Sequence, residues 1–288
     1  MGKGMQNKLE GTLYVVSTPI GNLEDITLRA LRILKEVDLI AAEDTRRTRQ
    51  LLTHYAIHKP LISYHEHNER MREDPLLKEL REGKNVALVT DAGTPGISDP
   101  GEPLIRRAIR EKITLVPIPG AAAAMAALSV AGLPTDRFLF YGFLPAKSSA
   151  RKKLLDGLRK RPETLVFYES PRRLQALLKE AREILGNRQV AVAREITKLF
   201  EETWRGSLDE VWEKIGKDNE VKGEITVVMA GNSDEETVDS QTIREALQKC
   251  QNNSGVSWKE AIERVAEELR VPKREVYREG LKMKEGRE

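Results

Sequence analysis

From residue 12 to about residue 130 the chain alternates short apolar runs with longer amphipathic ones, and this alternation limits the possible folds more than any other feature. The apolar runs are 12–17 (TLYVVS), 39–42, 61–64, 86–90 and 113–116. They are apolar along most of their length, the pattern of strands buried on both faces of a parallel sheet. Helical runs lie between them. One opens with Asp25 as N-cap and carries Leu28, Leu31 and Leu34 on one side; others cover 45–56, 66–82 closed by Gly83, and 103–112. Repeated strand-then-helix order predicts an α/β fold with helices on both faces of the sheet.

After Gly132 the pattern changes. Residues 138–143, 164–168, 189–193, 202–205 and 224–229 read as strands, several rich in aromatics, and predict a second α/β domain with a mixed sheet. Ser170-Pro171 opens a helix that stops at Gly186, and Ser207 with Glu210 fits a capping box. A chain of 288 residues with 40% hydrophobic residues has enough apolar material for two such domains, which cluster near ~100–150 residues each. The expected division is a tail at 1–11, α/β domains at 12–122 and 123–232, a polar acidic linker at 233–241 and a small helical module at 242–288.

In that module Ser257 and Glu260 predict a second capping box, and Ile262, Val265, Ala266 and Leu269 form one apolar stripe. A break at Arg270-Val271-Pro272 leads to a last helix with Val276 and Leu281 on its apolar side and Lys273, Arg274, Arg278, Lys282 and Lys284 on the other. Two helices joined so tightly predict a helix-turn-helix-like unit, either a capping subdomain with a solvated basic face or a nucleic-acid contact. The single cysteine, Cys250, and the absence of an apolar leader fit a reducing, cytoplasmic setting. The uncharged stretch 113–135 contains three prolines and two glycines, so it reads as strand, loop and small-residue helix rather than a membrane span.

Three loops follow predicted parallel strands: 17–22 (STPIGN), 91–101 (DAGTPGISDPG) and 117–123 (PIPGAAA). Ligands of open α/β sheets sit at the carboxyl ends of strands, and three glycine- and proline-rich loops there predict one shared small-molecule site. None matches a Rossmann G-x-G-x-x-G or a Walker A loop, which argues against dinucleotides and NTP hydrolysis. No HExxH motif or cysteine cluster is present, so no metal site is expected.

The order Pro19-x-Gly21-Asn22, then Asp91 to Gly101, then Pro119-Gly120-Ala121 resembles the tetrapyrrole methylase superfamily of S-adenosylmethionine-dependent methyltransferases. STPIGN, AEDTR (42–46), SYHEHN (63–68), TDAGTPGISDPG, YGFLP (141–145), YESPRR (168–173) and AREITK (193–198) resemble one branch, the ribosomal RNA small subunit methyltransferase I family. The resemblance covers about residues 12–232, and the terminal helical module resembles the one appended in this branch. It implies two α/β domains of the tetrapyrrole methylase type with a cofactor cleft between them, and a homodimer. It also implies methylation of the ribose 2′-oxygen of a decoding-centre cytidine in the 16S rRNA of the small ribosomal subunit.

Carried onto the matching motifs, the resemblance places S-adenosylmethionine against Pro19 and Asn22, against Asp91, Gly93, Thr94 and Ser98, and against Ala121, Ala122 and Ala123. Backbone N–H groups of 91–94 could hold its carboxylate as a nest. Candidates for a base are Glu43, Asp44, His65 and Glu66, with Arg46 as a phosphate clamp. Asp44 equally fits a helix cap, Arg46 a solvated face, and His65 a bond to nearby backbone. Although 48 Lys+Arg against 45 Asp+Glu leave only +3, residues 147–161 hold seven basic residues against Asp156 alone. Lys147, Arg151, Lys152, Lys153 and Lys160, with Arg172 beyond, are therefore the expected RNA surface. Two other readings stay open: a methylase of a tetrapyrrole or another small molecule, and a non-catalytic RNA- or DNA-binding factor.

Overall fold

The computed structural model describes residues 11–217, 221–232, 240–252, 256–269, 271 and 273–285. The tail at 1–10, most of the expected linker, and Arg270 and Pro272 of the expected break lie outside the described residues, as does the Lys284 side chain.

The first sheet consists of β1 (Thr12–Val16), β2 (Leu39–Ala42), β3 (Leu61–Ser63), β4 (Val86–Val89) and β5 (Thr114–Ile118), in the order β3-β2-β4-β1-β5. All four pairings are parallel, with Tyr14 of β1 opposite Ala87 of β4 and Val116 of β5. Alternation along β4 shows why every residue is apolar. Ala87 and Val89 point to one core, with Ile33 and Leu34 of α1 (Leu28–Glu36) and Leu52 of α2 (Thr45–His54). Val86 and Leu88 point to the other, with Leu76, Leu77 and Leu80 of α3 (Glu69–Arg81) and Leu104 and Ala108 of α4 (Glu102–Arg110).

Two helix starts differ from expectation. Thr27, not Asp25, caps α1, its Oγ1 accepting from Ala30 N at 3.1 Å. Residues Leu23–Asp25 instead form a single 3-10 turn capped by Asn22. Helix α3 begins at Glu69 rather than 66, because Asn68 Oδ1 accepts from His65 N at 2.8 Å and holds 65–68 as a turn. Side chains that compete for backbone groups set both boundaries.

The second sheet orders β6 (Phe138–Phe143), β7 (Thr164–Glu169), β8 (Gln189–Arg194), β9 (Glu202–Ser207) and β10 (Ile225–Met229) as β6-β7-β10-β8-β9. Only β6–β7 is parallel, so the sheet is mixed. Helices α6 (Ser148–Gly157), α7 (Pro171–Leu185) and α8 (Leu208–Lys217) cover one face. The other face is covered by α5 (Ala123–Val130), whose Ala124, Ala127 and Leu128 pack on Val166, Ala191 and Val228. The 207–210 capping box forms in both directions, Ser207 N to Glu210 Oε2 at 2.7 Å and Glu210 N to Ser207 Oγ at 3.3 Å. Ser170 stands at the N-cap of α7, but its side chain makes no capping bond. It accepts from Arg173 instead.

These two sheets and their helices form one compact unit. A second unit contains Lys160–Pro162 and the helices α9 (Ser240–Asn252), α10 (Trp258–Leu269) and α11 (Lys273–Glu285). Ile243, Leu247, Ile262, Val265 and Val276 give it a core of its own. Among the described residues it has three helices where two were expected, and α9 begins inside the stretch read as linker. Leu281, expected on the apolar side, is exposed. Among the described residues no helix is long and apolar enough to cross a membrane.

Candidate active site

The three loops at the carboxyl end of the first sheet are locked together. Thr18 N donates to Gly93 O at 2.8 Å and Gly93 N to Thr18 O at 3.1 Å. Ser17 Oγ and Thr94 Oγ1 share a hydrogen bond of 2.8 Å. The third loop packs directly on the first, since a β-carbon on Gly120 would stand 2.8 Å from Ser17 Cβ. Gly93 has φ +88°, a conformation that side chains rarely adopt, and it turns the second loop toward the first.

Between these loops and the second sheet lies a cavity of about 670 Å³ with a mostly apolar wall. Ile20, Gly93, Thr94 and Ser98 line it from the first sheet, Ala122, Ala123 and Ala124 from the start of α5, and Ile225 and Thr226 from β10. Phe138, Phe140, Phe143 and Tyr168 complete it from β6 and β7. The rings of Phe140 and Phe143 stand 5.0 and 5.6 Å from that of Tyr168. Tyr168 Oη accepts from Ala124 N at 3.3 Å, joining β7 to α5. Strand β6 shifts register before Phe143, and Gly142 at φ +60° lets it approach Ser98, leaving no room there for a β-carbon.

Five of the nine expected cofactor residues line the cavity: Gly93, Thr94, Ser98, Ala122 and Ala123. Pro19 is buried in the loop behind it, and Asn22 accepts from Glu24 N at 3.1 Å. Asp91 and Ala121 also lie off the cavity wall. The aromatic wall was not among the expected site residues. Its signal was the aromatic run at 138–143 together with Tyr168 of YESPRR, which core packing explains equally well from sequence alone.

None of Glu43, Asp44, Arg46 and His65 lines the cavity. Glu43, Asp44 and Arg46 are linked through Asp91, and His65 stands apart from them. Glu43 Oε2 accepts from Asp91 N at 3.1 Å, and Asp91 Oδ1 accepts from Asp44 N at 3.0 Å. Asp44 caps α2 and holds Arg46 through two side-chain bonds of 2.7 and 3.1 Å, which keep its carboxyl well below the usual range. His65 Nε2 meets Asn68 Nδ2 at 3.1 Å, while its Nδ1 is buried without a hydrogen-bond partner.

Three acids in the cavity wall, Asp99, Glu169 and Glu224, were not expected. Asp99 is half-buried, and burial, reinforced by the charges of Glu43 and Asp91, pushes its carboxyl up to about 7. Glu169 is buried, and its Oε1 accepts from Ser170 N at 2.7 Å and Arg173 Nε at 2.6 Å. Its Oε2 is also buried but has no hydrogen-bond partner. The AREITK segment braces the first loop. Lys198 packs on Gly21 and pairs with Glu195 at 2.9 Å and Glu224 at 3.2 Å. Burial works against the charge on Lys198, but these pairs outweigh it and raise its pKa. Thr197 bonds to Asp25.

Of the expected RNA surface, Lys147, Lys152, Lys153, Lys160 and Arg172 are exposed. Arg151 is not: it is 4% exposed. Its Nε donates to Glu180 Oε2 at 2.7 Å, its Nη2 to Oε1 at 2.9 Å, and its Nη1 to the carbonyls of Pro145 and Ala146. Helical periodicity turns it inward while its basic neighbours face out.

The family profile described as Tetrapyrrole (Corrin/Porphyrin) Methylases matches residues 12–211, so fold and site together define a methyltransferase of that class. Ribosomal RNA small subunit methyltransferase I of Halalkalibacterium halodurans is 47% identical over 275 residues, covering 93% of this chain and 94% of that protein. The protein of that name from Bacillus subtilis is 46% identical and covers 93% of each. The fold is shared with uroporphyrin-III C-methyltransferase of Thermus thermophilus complexed with S-adenosyl homocysteine, at TM-score 0.53 and 21% identity, over 76% of this chain and 97% of that one. The chain belongs to the ribosomal RNA small subunit methyltransferase I family.

Proposed function

We propose that the chain transfers the methyl group of S-adenosylmethionine to the ribose 2′-hydroxyl of a decoding-centre cytidine in 16S rRNA. The observation that carries this reading is the cavity closed by the three glycine- and proline-rich loops, in a chain so similar to rRNA methyltransferases over nearly its whole length.

The residues present fit the methyl donor. A cavity of about 670 Å³ lies within the ~300–1,000 Å³ typical of small-ligand sites. Gly93 and Ala122 to Ala124 offer backbone without bulk, and Pro19, Asn22, Asp91 and Ala121 shape the loops from behind. Glu169 Oε2, buried and without a partner, suits an N–H donor on a ligand. The aromatic wall of Phe140, Phe143 and Tyr168 suits a positively charged sulfur. When bound, the donor supplies a methyl group already activated by that charge, so the protein's main task is alignment.

The acceptor is recognised outside the cavity. Lys147, Lys152, Lys153 and Arg172, with Lys160 of the second unit, are exposed and would meet phosphates, and Arg46, exposed on α2, would clamp one more. Phosphate contacts position RNA without reading its sequence, so an assembled small subunit is the expected acceptor rather than a free strand. A homodimer would cover Leu199 and Phe200, which are 89% and 68% exposed beside the brace on the first loop.

The test is methyl transfer from labelled S-adenosylmethionine to unmodified small subunits, with naked 16S rRNA and a precorrin-like tetrapyrrole in parallel. Label in the rRNA at a nuclease-resistant linkage is expected. Label in the tetrapyrrole alone would overturn the acceptor.

A further inference from the structure

The second unit has a face that its own packing does not use. Helix α11 turns Val276, Glu279 and Gly280 inward. Val276 joins Leu247 of α9 and Val265 of α10 in the core. Glu279 Oε2 accepts from Arg244 Nη2 of α9 at 2.8 Å, and a β-carbon on Gly280 would stand 2.6 Å from the Trp258 ring of α10. Val271 N donates to Ala266 O at 3.1 Å where the chain turns from α10 into α11. Contacts to both neighbouring helices fix the rotation of α11 about its axis. They also fix its outward stripe, which is Arg274, Tyr277, Arg278 and Leu281, all exposed and spaced by three or four residues.

Arg274 and Arg278 differ from the other cations of this helix. Glu263 takes Lys273 at 2.9 Å, and Glu279 takes Lys282 at 2.7 Å. Among the described residues no hydrogen bond or ion pair reaches Arg274 or Arg278. Like charges four residues apart repel one another and destabilise a helix, so this pair gains from a polyanion laid against it. Between the two arginines stands Tyr277, 50% exposed.

We propose that the stripe Arg274, Tyr277 and Arg278 of α11 is a second RNA contact of this chain, in a unit separate from the methyl-donor cavity. The two guanidinium groups take phosphates of a loop or single-stranded segment of small-subunit rRNA, and the Tyr277 ring stacks on an exposed base. This deepens the acceptor reading above and rests on it. Charge complementarity selects the partner, because the stripe carries two unpaired cations and no acid. Its ring selects the kind of RNA. A planar fork suits phosphate on any nucleic acid, whereas an aromatic side chain stacks on a base only where that base is open. A tight pair of helices that displays the outer face of its second helix is also a common way of presenting side chains to nucleic acid.

The test measures binding of the full chain to unmodified small subunits across a salt series. Arg274→Gln with Arg278→Gln is expected to lower the log–log salt slope by about 1.4, at ~0.7 for each single-stranded phosphate released. Tyr277→Ala is expected to weaken binding about 5- to 150-fold, the worth of one stacked base, and Tyr277→Phe, which keeps the ring, should bind as wild type. Melting temperature and methyl-donor affinity by calorimetry should stay at wild-type values in all of them, since the altered side chains are exposed and lie in the other unit. With a benzophenone side chain at Leu281, photocross-links are expected to 16S rRNA. Wild-type slope in the double arginine variant, wild-type affinity in Tyr277→Ala, equal losses in Tyr277→Ala and Tyr277→Phe, or cross-links to ribosomal protein alone would each overturn the proposal. If the wild-type protein binds small subunits but leaves their rRNA unmethylated, the acceptor reading falls, and the binding series still decides α11.

Discussion

A carboxyl that is harder to ionise in the folded chain than in the unfolded one costs stability whenever it is charged. Asp99 has an ordinary value of 3.8 and stands at about 7 in the fold. Its contribution is therefore complete below 3.8 and is lost as pH rises through 7. Asp99→Asn, which cannot ionise, should melt at a higher temperature than wild type at pH 8, and the gain should disappear at pH values below 3.8. Partial exposure keeps the gain small through solvent screening. Equal melting temperatures at pH 8 would show that Asp99 is not strained by its surroundings. Arg151 is the opposite case. Burial works to raise the Glu180 pKa, but hydrogen bonds from Arg151 and Ser148 outweigh it and lower it. Removing one partner of such a pair leaves a buried charge, so Arg151→Ala should cost about 3–5 kcal/mol in chemical denaturation. Residue identity alone concealed both facts. Asp99 reads as one polar loop residue among several, and Arg151 as one of seven basic residues in a run; only the fold decides which is enclosed.

Elements were far more legible than their ends. Apolar strands and glycine stops placed all five strands of the first sheet within a residue or two, because parallel strands covered on both faces are apolar along most of their length. The three loops were legible as a set for the same reason: they follow strands that can only lie side by side. The start of α1 was misplaced because three capping residues compete there. Asn22, Asp25 and Thr27 all qualify as caps, and the structure assigns Asn22 to the 3-10 turn and Thr27 to α1. The aromatic wall stayed hidden because strands β6 and β7 present aromatics to core and cavity alike. Contact between loops yields a sharp expectation at Gly120, which has no positive φ but no space either. In Gly120→Ala the new methyl group meets Ser17 Cβ at 2.8 Å, with a strain of about 1–3 kcal/mol. The third loop must shift relative to the first, so calorimetric affinity for S-adenosylmethionine should weaken along with stability. Unchanged affinity would mean that the two loops do not hold the ligand jointly.

At the scale of the whole molecule, charge is nearly balanced, at +3 over 288 residues, so RNA attraction must come from local surfaces. Internal pairing removes part of each candidate surface. In the second unit Lys273 pairs with Glu263 at 2.9 Å, and Lys282 pairs with Glu279 at 2.7 Å. Glu279 is itself buried and also bound to Arg244, so this part of the basic face is committed to holding α9 and α11 together. On α6, Lys152 stands 3.4 Å from Glu183, whereas the neighbouring Lys153 is exposed, as is Lys147 before the helix. The two α6 lysines should therefore behave differently. Lys153→Glu should weaken binding of small subunits and lower the log–log salt slope by about 0.7–0.9 for each phosphate that is no longer neutralised. Lys152→Glu should do less, because in the wild type Glu183 already competes with phosphate for this lysine. Binding measured across a salt series for both variants separates the two. If both slopes equal the wild-type slope, α6 is a solvated face and the RNA is held elsewhere.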